Sequence, residues 1–186
     1  IRKQKPLPPI KEEEIPYEAP EGWEWVRLGE ITNITMGQSP NGNSYNTSGD
    51  GIPLINGPAE FGPGPFSNPL KIKFTTSPTK FCEKDDLLIC VRGSTGRTNV
   101  AGFKACIGRG VASIRSFIYQ PYVNYFIYKN QQNLLEMGRG STFSNITKDQ
   151  LNEFPIPLPP LNEQKRIVAK VDQLMSLCDQ LEEQLE

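Results

Sequence analysis

Apolar positions along this chain change their spacing three times, and each change predicts a different kind of structure. Residues 1–20 hold almost nothing to bury. The run "KPLPPIKEEEIPYEAPEG" is rich in Pro and Glu, which predicts an extended, partly polyproline II linker with Glu12, Glu13 and Glu14 as a solvated face. From Trp23 the pattern thickens: Trp23, Trp25, Val26, Leu28, Ile31, Ile34 and Met36 predict a strand or a strand–turn–strand. A polar stretch, "GQSPNGNSYNTSGDG" (37–51), is too long for a simple turn. Short strands are then expected at "IPLI" (52–55), at "LKIKF" (70–74) with its period of two, at "DLLICVRG" (86–93) and at "VASIRSF" (111–117), with a Gly/Pro-rich loop at 56–69 and turns with short strands over 94–110. Such strands predict a curved, mostly antiparallel sheet.

Helical spacing begins at Pro121, a residue suited to a first helical turn. Val123, Phe126, Ile127 and Leu134 share one face, and Gly138 is a stop signal. "TKDQ" (147–150) reads as a capping box for a short helix ending at Phe154-Pro155, and "PIPL" as a last extended segment. The chain closes on a long helix for which Asn162 is the expected N-cap. Ile167, Val171, Leu174, Cys178, Leu181 and Leu185 recur at alternating steps of four and three, the a/d stripe of a coiled coil. Val168, Met175 and Leu177 widen that stripe toward an ordinary surface helix, so both readings stand. The expected fold is α+β: residues 1–20 a linker, 21–160 a β-rich globular domain with short helices, and 161–186 a coiled-coil helix.

The 186 residues suit one domain plus an appendage, and a mean hydropathy of -0.46 with no long apolar run predicts a soluble protein with no membrane span. Starting at Ile and ending inside a helix, the chain reads as a piece of a longer protein. Cys82, Cys90, Cys106 and Cys178 form no CxxC pair and predict buried, reduced thiols in a cytoplasmic protein. The overall charge of -1 argues against a nucleic-acid partner, but its distribution does not: residues 71–129 carry 10 basic and 3 acidic side chains, and each flank carries 5 basic and 9 acidic. A centre of net +7 can face phosphate, although charges scattered over a surface would give the same count.

Histidine is absent, which removes the commonest general base and metal ligand. No phosphate-binding glycine loop is present: "GRGST" (138–142) lacks the lysine. Glu163 and Lys165 with Asp149 upstream make a partial nuclease pattern, but they fall on expected helices. Asp85-Asp86 reads as a loop end before a strand rather than a metal pair. No catalytic site and no metal site are expected.

Several stretches together resemble a known family. "PEGWEWVRLGEI" (20–31), "GQSPNGNSYN" with "GIPLINGPAEFG" (37–62), "DLLICVRGSTGRTNVA" (86–101), "IGRGVASIR" (107–115) and above all "GSTFSNITKDQLNEFPIPLPPLNEQKRIVAKVDQLMSLCDQLE" (140–182) resemble one target recognition domain of the specificity subunit of type I restriction-modification enzymes. The resemblance implies a non-catalytic reader of one half of a split double-stranded DNA site. It implies a second recognition domain in the full-length chain, and a helix that pairs antiparallel with another to set the spacer. It also implies partner modification subunits, which bind S-adenosylmethionine, and a restriction subunit. No cofactor is expected in this chain. A lone a/d stripe predicts that the piece pairs with itself.

For base edges the candidates are Arg92, Arg97 and Arg109, since arginine pairs bidentately with guanine, with Gln38, Asn41, Asn43 and Tyr45 from the long loop and Arg139, Ser141 and Thr142. For phosphate they are Lys71, Lys73, Lys80 and Lys104. Each has a structural rival: Arg92 can pair with Asp85 or Asp86, and Asn41 and Asn43 can simply make the turn. Two other functions remain open, a protein-interaction module on a coiled-coil stalk and an RNA binder prompted by the GxxG stretch Gly93-Ser94-Thr95-Gly96.

Overall fold

The computed structural model describes residues 6–93, 95–137 and 145–183. Its elements run β1 (Glu24–Arg27), α1 (Leu28–Ile31), β2 (Thr32–Met36), β3 (Tyr45–Asn46), β4 (Ile52–Ile55), β5 (Phe74–Thr75), β6 (Phe81–Cys82), β7 (Leu87–Cys90), β8 (Thr98–Val100), β9 (Ala105–Ile107), β10 (Val111–Ser116), α2 (Gln120–Lys129), α3 (Gln131–Met137), α4 (Lys148–Glu153), β11 (Pro155–Leu158) and α5 (Leu161–Glu183). The α+β expectation, with its long final helix, holds.

Strand β7 explains the layering. Its continuous apolar run has both faces covered: Leu87, Ile89 and Val91 enter a core with Ala112, Ile114 and the helices, and Leu88 and Cys90 enter another with Ile55, Cys82, Ala105 and Ile107. It lies in an antiparallel sheet ordered β2-β10-β7-β8. A second sheet, β3-β5-β4-β9-β6, packs on one face of the first, and its β4·β9 pair is parallel. Helices α1 to α4 and the start of α5 cover the other face through Leu28, Val123, Ile127, Leu134, Leu151 and Val168. Two stacked sheets therefore stand where the residue pattern suggested one curved sheet.

Four local expectations change. Only Phe74 and Thr75 of "LKIKF" pair as a strand, and Leu70 and Ile72 remain about half exposed. The helix from Pro121 breaks at Asn130, whose side chain bonds the Phe126 carbonyl (2.8 Å). Gly138 lies outside the described residues. The last helix opens on the Pro160 carbonyl, which accepts from Gln164 N–H (3.0 Å), so Asn162 sits inside the first turn. Cys82, Cys90 and Cys106 are buried, but Cys178 is exposed. The capping box at Thr147 and Gln150 forms as expected.

The N-terminal segment is the largest departure. Arg27 is 3% exposed, and its five N–H groups all find acceptors. Nε donates to the Pro8 carbonyl (3.0 Å) and Nη2 to that of Pro9 (2.9 Å). Both Nη atoms grip the Glu14 carboxylate (2.7 and 2.9 Å), and Nη1 also reaches the Glu153 carbonyl (2.5 Å). Glu12–Glu14 form a 3-10 turn, and Glu14 is an ion-pair partner rather than a solvated face; Glu12 and Glu13 do face solvent. The Arg27 bonds, followed by the Lys11 N–H, hold the Glu14 carboxyl at about 2. The Pro-rich segment is thereby fastened to the ribbon that β1 makes with β11, Glu24 opposite Leu158 and Arg27 opposite Pro155.

Helix α5 has two halves. Gln164 and Val168 are each 3% exposed. Gln164 accepts from Tyr119 N–H (3.2 Å) and donates to the Pro159 carbonyl (2.8 Å), and Tyr125 donates its hydroxyl to Asp172. Beyond that point Leu174, Met175, Leu177 and Leu181 are half exposed or more. The surface-helix and projecting-stripe readings each describe one half. Leu185 lies outside the described residues. The 23 residues span about 34 Å at 1.5 Å each.

Arg27→Lys, which loses the fork, is expected to cost about 3 kcal/mol in urea unfolding. Because the Glu14 carboxyl is depressed from 4.5 to about 2 on folding, its stabilisation is complete above about pH 4.5 and drains away as pH falls toward 2; Glu14→Gln should flatten that acid limb. Val168→Ala should cost about 2 kcal/mol and Leu174→Ala under about 0.5, measured by denaturant midpoint.

Candidate nucleic-acid interface

Antiparallel pairing sorts the basic side chains. In the four-stranded sheet, the C-terminal ends of β2 and β7 and the N-terminal ends of β10 and β8 lie at the same end. Residues just past those ends continue the ladder: Gly37 N–H bonds the Val111 carbonyl (2.9 Å), Val91 N–H that of Gly110 (2.9 Å) and Cys90 N–H that of Arg97 (2.8 Å). Gln38, Arg109, Arg92 and Arg97 therefore emerge side by side, each exposed. Lys80 joins them from the second sheet, where its carbonyl accepts from Ile107 N–H (2.8 Å). Among the described residues no acidic side chain pairs with Lys80, Arg92, Arg97 or Arg109.

The loops at this basic end are locked to one another. Gln38 N–H donates to the Ile107 carbonyl (3.0 Å), and Thr79 gives its hydroxyl to the Gln38 carbonyl. Arg109 N–H donates to Ser39 Oγ (3.2 Å), and Ser39 Oγ lies 3.3 Å from Asn56 Oδ1. A Cβ on Gly37 would stand 2.1 Å from the Gly108 carbonyl oxygen, and one on Gly108 would stand 1.9 Å from Asn56 Oδ1. Both glycines are needed for backbones to approach this closely. Asn56 and its clamp could not be singled out from one sequence; the only hint was Asn-Gly followed by Glu at the spacing of a capping carboxylate.

The remaining candidates separate. Asn41 accepts from Asn43 N–H (3.2 Å) and so makes the turn at Gly42–Ser44, and Tyr45 donates to the Pro40 carbonyl (3.3 Å). These three line the outer edge leading from Gln38 to β3. Arg97 also donates to the Gly62 carbonyl (3.1 Å). Lys73 is committed to Glu60 (2.7 Å), a carboxylate only 2% exposed. Lys104 lies at the far end of the sheet, paired with Glu83 (2.7 Å) and over the Phe81 ring; Lys71 sits over the Phe103 ring at 4.5 Å. Neither Lys71 nor Lys104 joins the basic end. Arg139, Ser141 and Thr142 lie outside the described residues. Asp86, expected as a rival partner for Arg92, instead binds Arg115 (2.7 Å) and Ser113 (2.7 Å). Burial pushes its carboxyl up, and the Arg115, Ser113 and Glu83 N–H bonds outweigh that and hold it low.

No group of three or more His, Cys, Asp or Glu able to hold a metal ion occurs among the described residues, and no described helix is long and apolar enough to cross a membrane. On the helical side, Phe66, Tyr122, Tyr125, Tyr128, Ile167 and Met175 wall an apolar groove of about 690 Å³.

Residues 20–186 match the family model described as type I restriction modification DNA specificity domain. This chain belongs to that family. A Methanocaldococcus jannaschii protein provisionally named as the MjaX type I restriction enzyme specificity subunit is 41% identical over 177 residues, 91% of this chain and 41% of its own length. The EcoAI specificity subunit of Escherichia coli is 32% identical, covering 99% of this chain and 33% of that protein. The HsdS subunit from Thermoanaerobacter tengcongensis superposes with a TM-score of 0.80 at 38% identity, over 90% of this chain and 41% of that one. The chain thus spans less than half the length of these relatives. The closing part of the matched stretch folds as α4, β11 and α5, the elements that carry the chain out of the domain.

In urea unfolding, Lys73→Met should destabilise the specificity domain by about 2 kcal/mol because it strands Glu60, whereas Lys80→Met should change the unfolding free energy by less than about 0.5 kcal/mol.

Proposed function

We propose that this domain reads one half of a bipartite double-stranded DNA site within the specificity subunit of a type I restriction-modification enzyme. The observation that carries the reading is the gathering of Lys80, Arg92, Arg97 and Arg109 with Gln38 at one end of the domain, on loops braced against each other and without an acidic partner among the described residues. Exposed cations bind phosphate and fix register, and rigid loops let guanidinium and amide groups test base edges. The domain has a targeting role and makes or breaks no bond itself. S-adenosylmethionine and the methyl transfer belong to partner modification subunits, and cleavage to a restriction subunit, in the cytoplasm. The exposed half of α5, from Leu174 to Leu181, pairs with a second helix: in the full-length subunit that of the other recognition domain, in this piece alone that of a second copy. α5 then acts as a coiled-coil spacer whose direction the β1–β11 ribbon fixes.

The test is made in the assembled methyltransferase. Exchanging residues 21–155 for those of another recognition domain should change one half of the methylated motif and leave the other half and the spacer as they were. An unchanged motif would reject the reading. Lys80→Met should weaken binding about equally across sequences and reduce the slope of log affinity against log salt by about 1.

A further inference from the structure

Asn56 is the residue at the basic end on which the most structure converges. Its backbone N–H and that of Gly57 both donate to Glu60 Oε2 (3.1 and 3.0 Å), and Glu60 Oε1 takes Lys73 (2.7 Å). A buried carboxylate with its own counter-ion therefore holds the backbone of one partly buried asparagine. The side chain is fixed as well. Ser39 Oγ accepts from Arg109 N–H, so the Ser39 hydroxyl proton is available for Asn56 Oδ1. Gly108, bare of Cβ, lets that oxygen lie against the chain. With Ser39 as the donor, Asn56 Oδ1 faces inward. This leaves Nδ2, a double donor, with no bond to any described residue.

We propose that Asn56 is a specificity-determining residue, donating through Nδ2 to a hydrogen-bond acceptor on a major-groove base edge. The acceptors available there are guanine O6 and N7, adenine N7 and thymine O4; cytosine offers a donor and is disfavoured. Glu60, Lys73, Ser39 and Gly108 are positioning residues: they touch no base and hold the amide in a single orientation. This inference rests on the DNA-reading function proposed above.

The experiment uses the full-length specificity subunit assembled with its modification subunits and reads methylation across a library randomised over the half-site. Asn56→Asp keeps the size and the acceptor toward Ser39 but replaces the donor with an acceptor. Methylation of the native half-site should fall roughly 10- to 100-fold, and preference at one base position should move toward cytosine. Asn56→Ala should relax that same position to several bases. An equal loss over all library members, or an unchanged preference with an unchanged melting temperature, would overturn the proposal while the domain exchange could still succeed. Failure of both variants to fold, read as loss of the thermal transition, would make Asn56 a structural residue and overturn it too. If the domain exchange itself leaves the motif unaltered, the underlying DNA-reading function fails first.

Discussion

The guanidinium of Arg27 is the constraint on which the arrangement turns. Five donors on one rigid fork meet three carbonyls and a carboxylate drawn from segments far apart in the sequence: Pro8, Pro9, Glu14 and Glu153. A lysine has neither the number nor the geometry of donors to do this. The fork joins the approach of the chain to its departure, because Arg27 closes β1 and Glu153 closes α4, immediately before β11. From that knot β11 leads into α5, and Gln164 and Tyr125 fix the helix on the domain for its first three turns.

A second consequence of tight packing is seen at the basic end. Two cores grip the four-stranded sheet from either side, so its strands cannot slip without exposing Leu87 to Cys90 on one face or the other. With register fixed, the residues just beyond the strand ends are fixed too. That converts side chains scattered between positions 38 and 109 into one surface. Elsewhere charge is consumed internally: Lys73, Arg115 and Lys104 answer Glu60, Asp86 and Glu83.

Much of this was legible in the residue pattern. The unbroken apolar run at 87–90, the capping box at Thr147 and the helical spacing after Ile167 each rest on a local rule, and a strand, a capped helix and a long helix stand where those rules place them. What could not be read depends on partners distant in sequence. The alternation of Leu70, Lys71, Ile72 and Lys73 has strand periodicity, yet only its end meets β4, where the Lys73 carbonyl accepts from Leu54 N–H (2.8 Å); Leu70 N–H turns instead to the Glu60 carbonyl (2.8 Å), and the Lys73 side chain to the Glu60 carboxylate. The Pro/Glu segment looked solvated because its anchor, Arg27, belongs to another element. Among the lysines, type alone could not separate Lys80, which faces solvent, from Lys73, which serves the core.

Pairing of Glu24 with Leu158 brings the two ends of the globular unit to adjacent positions on neighbouring strands, about 5 Å apart. Everything between them is a closed excursion that returns to its point of departure. Changes within the excursion, even a wholly different set of loops, leave the N-terminal segment and α5 in the same relative placement. The point where the chain enters the domain and the point where it leaves are therefore insulated from whatever sequence the loops between them carry.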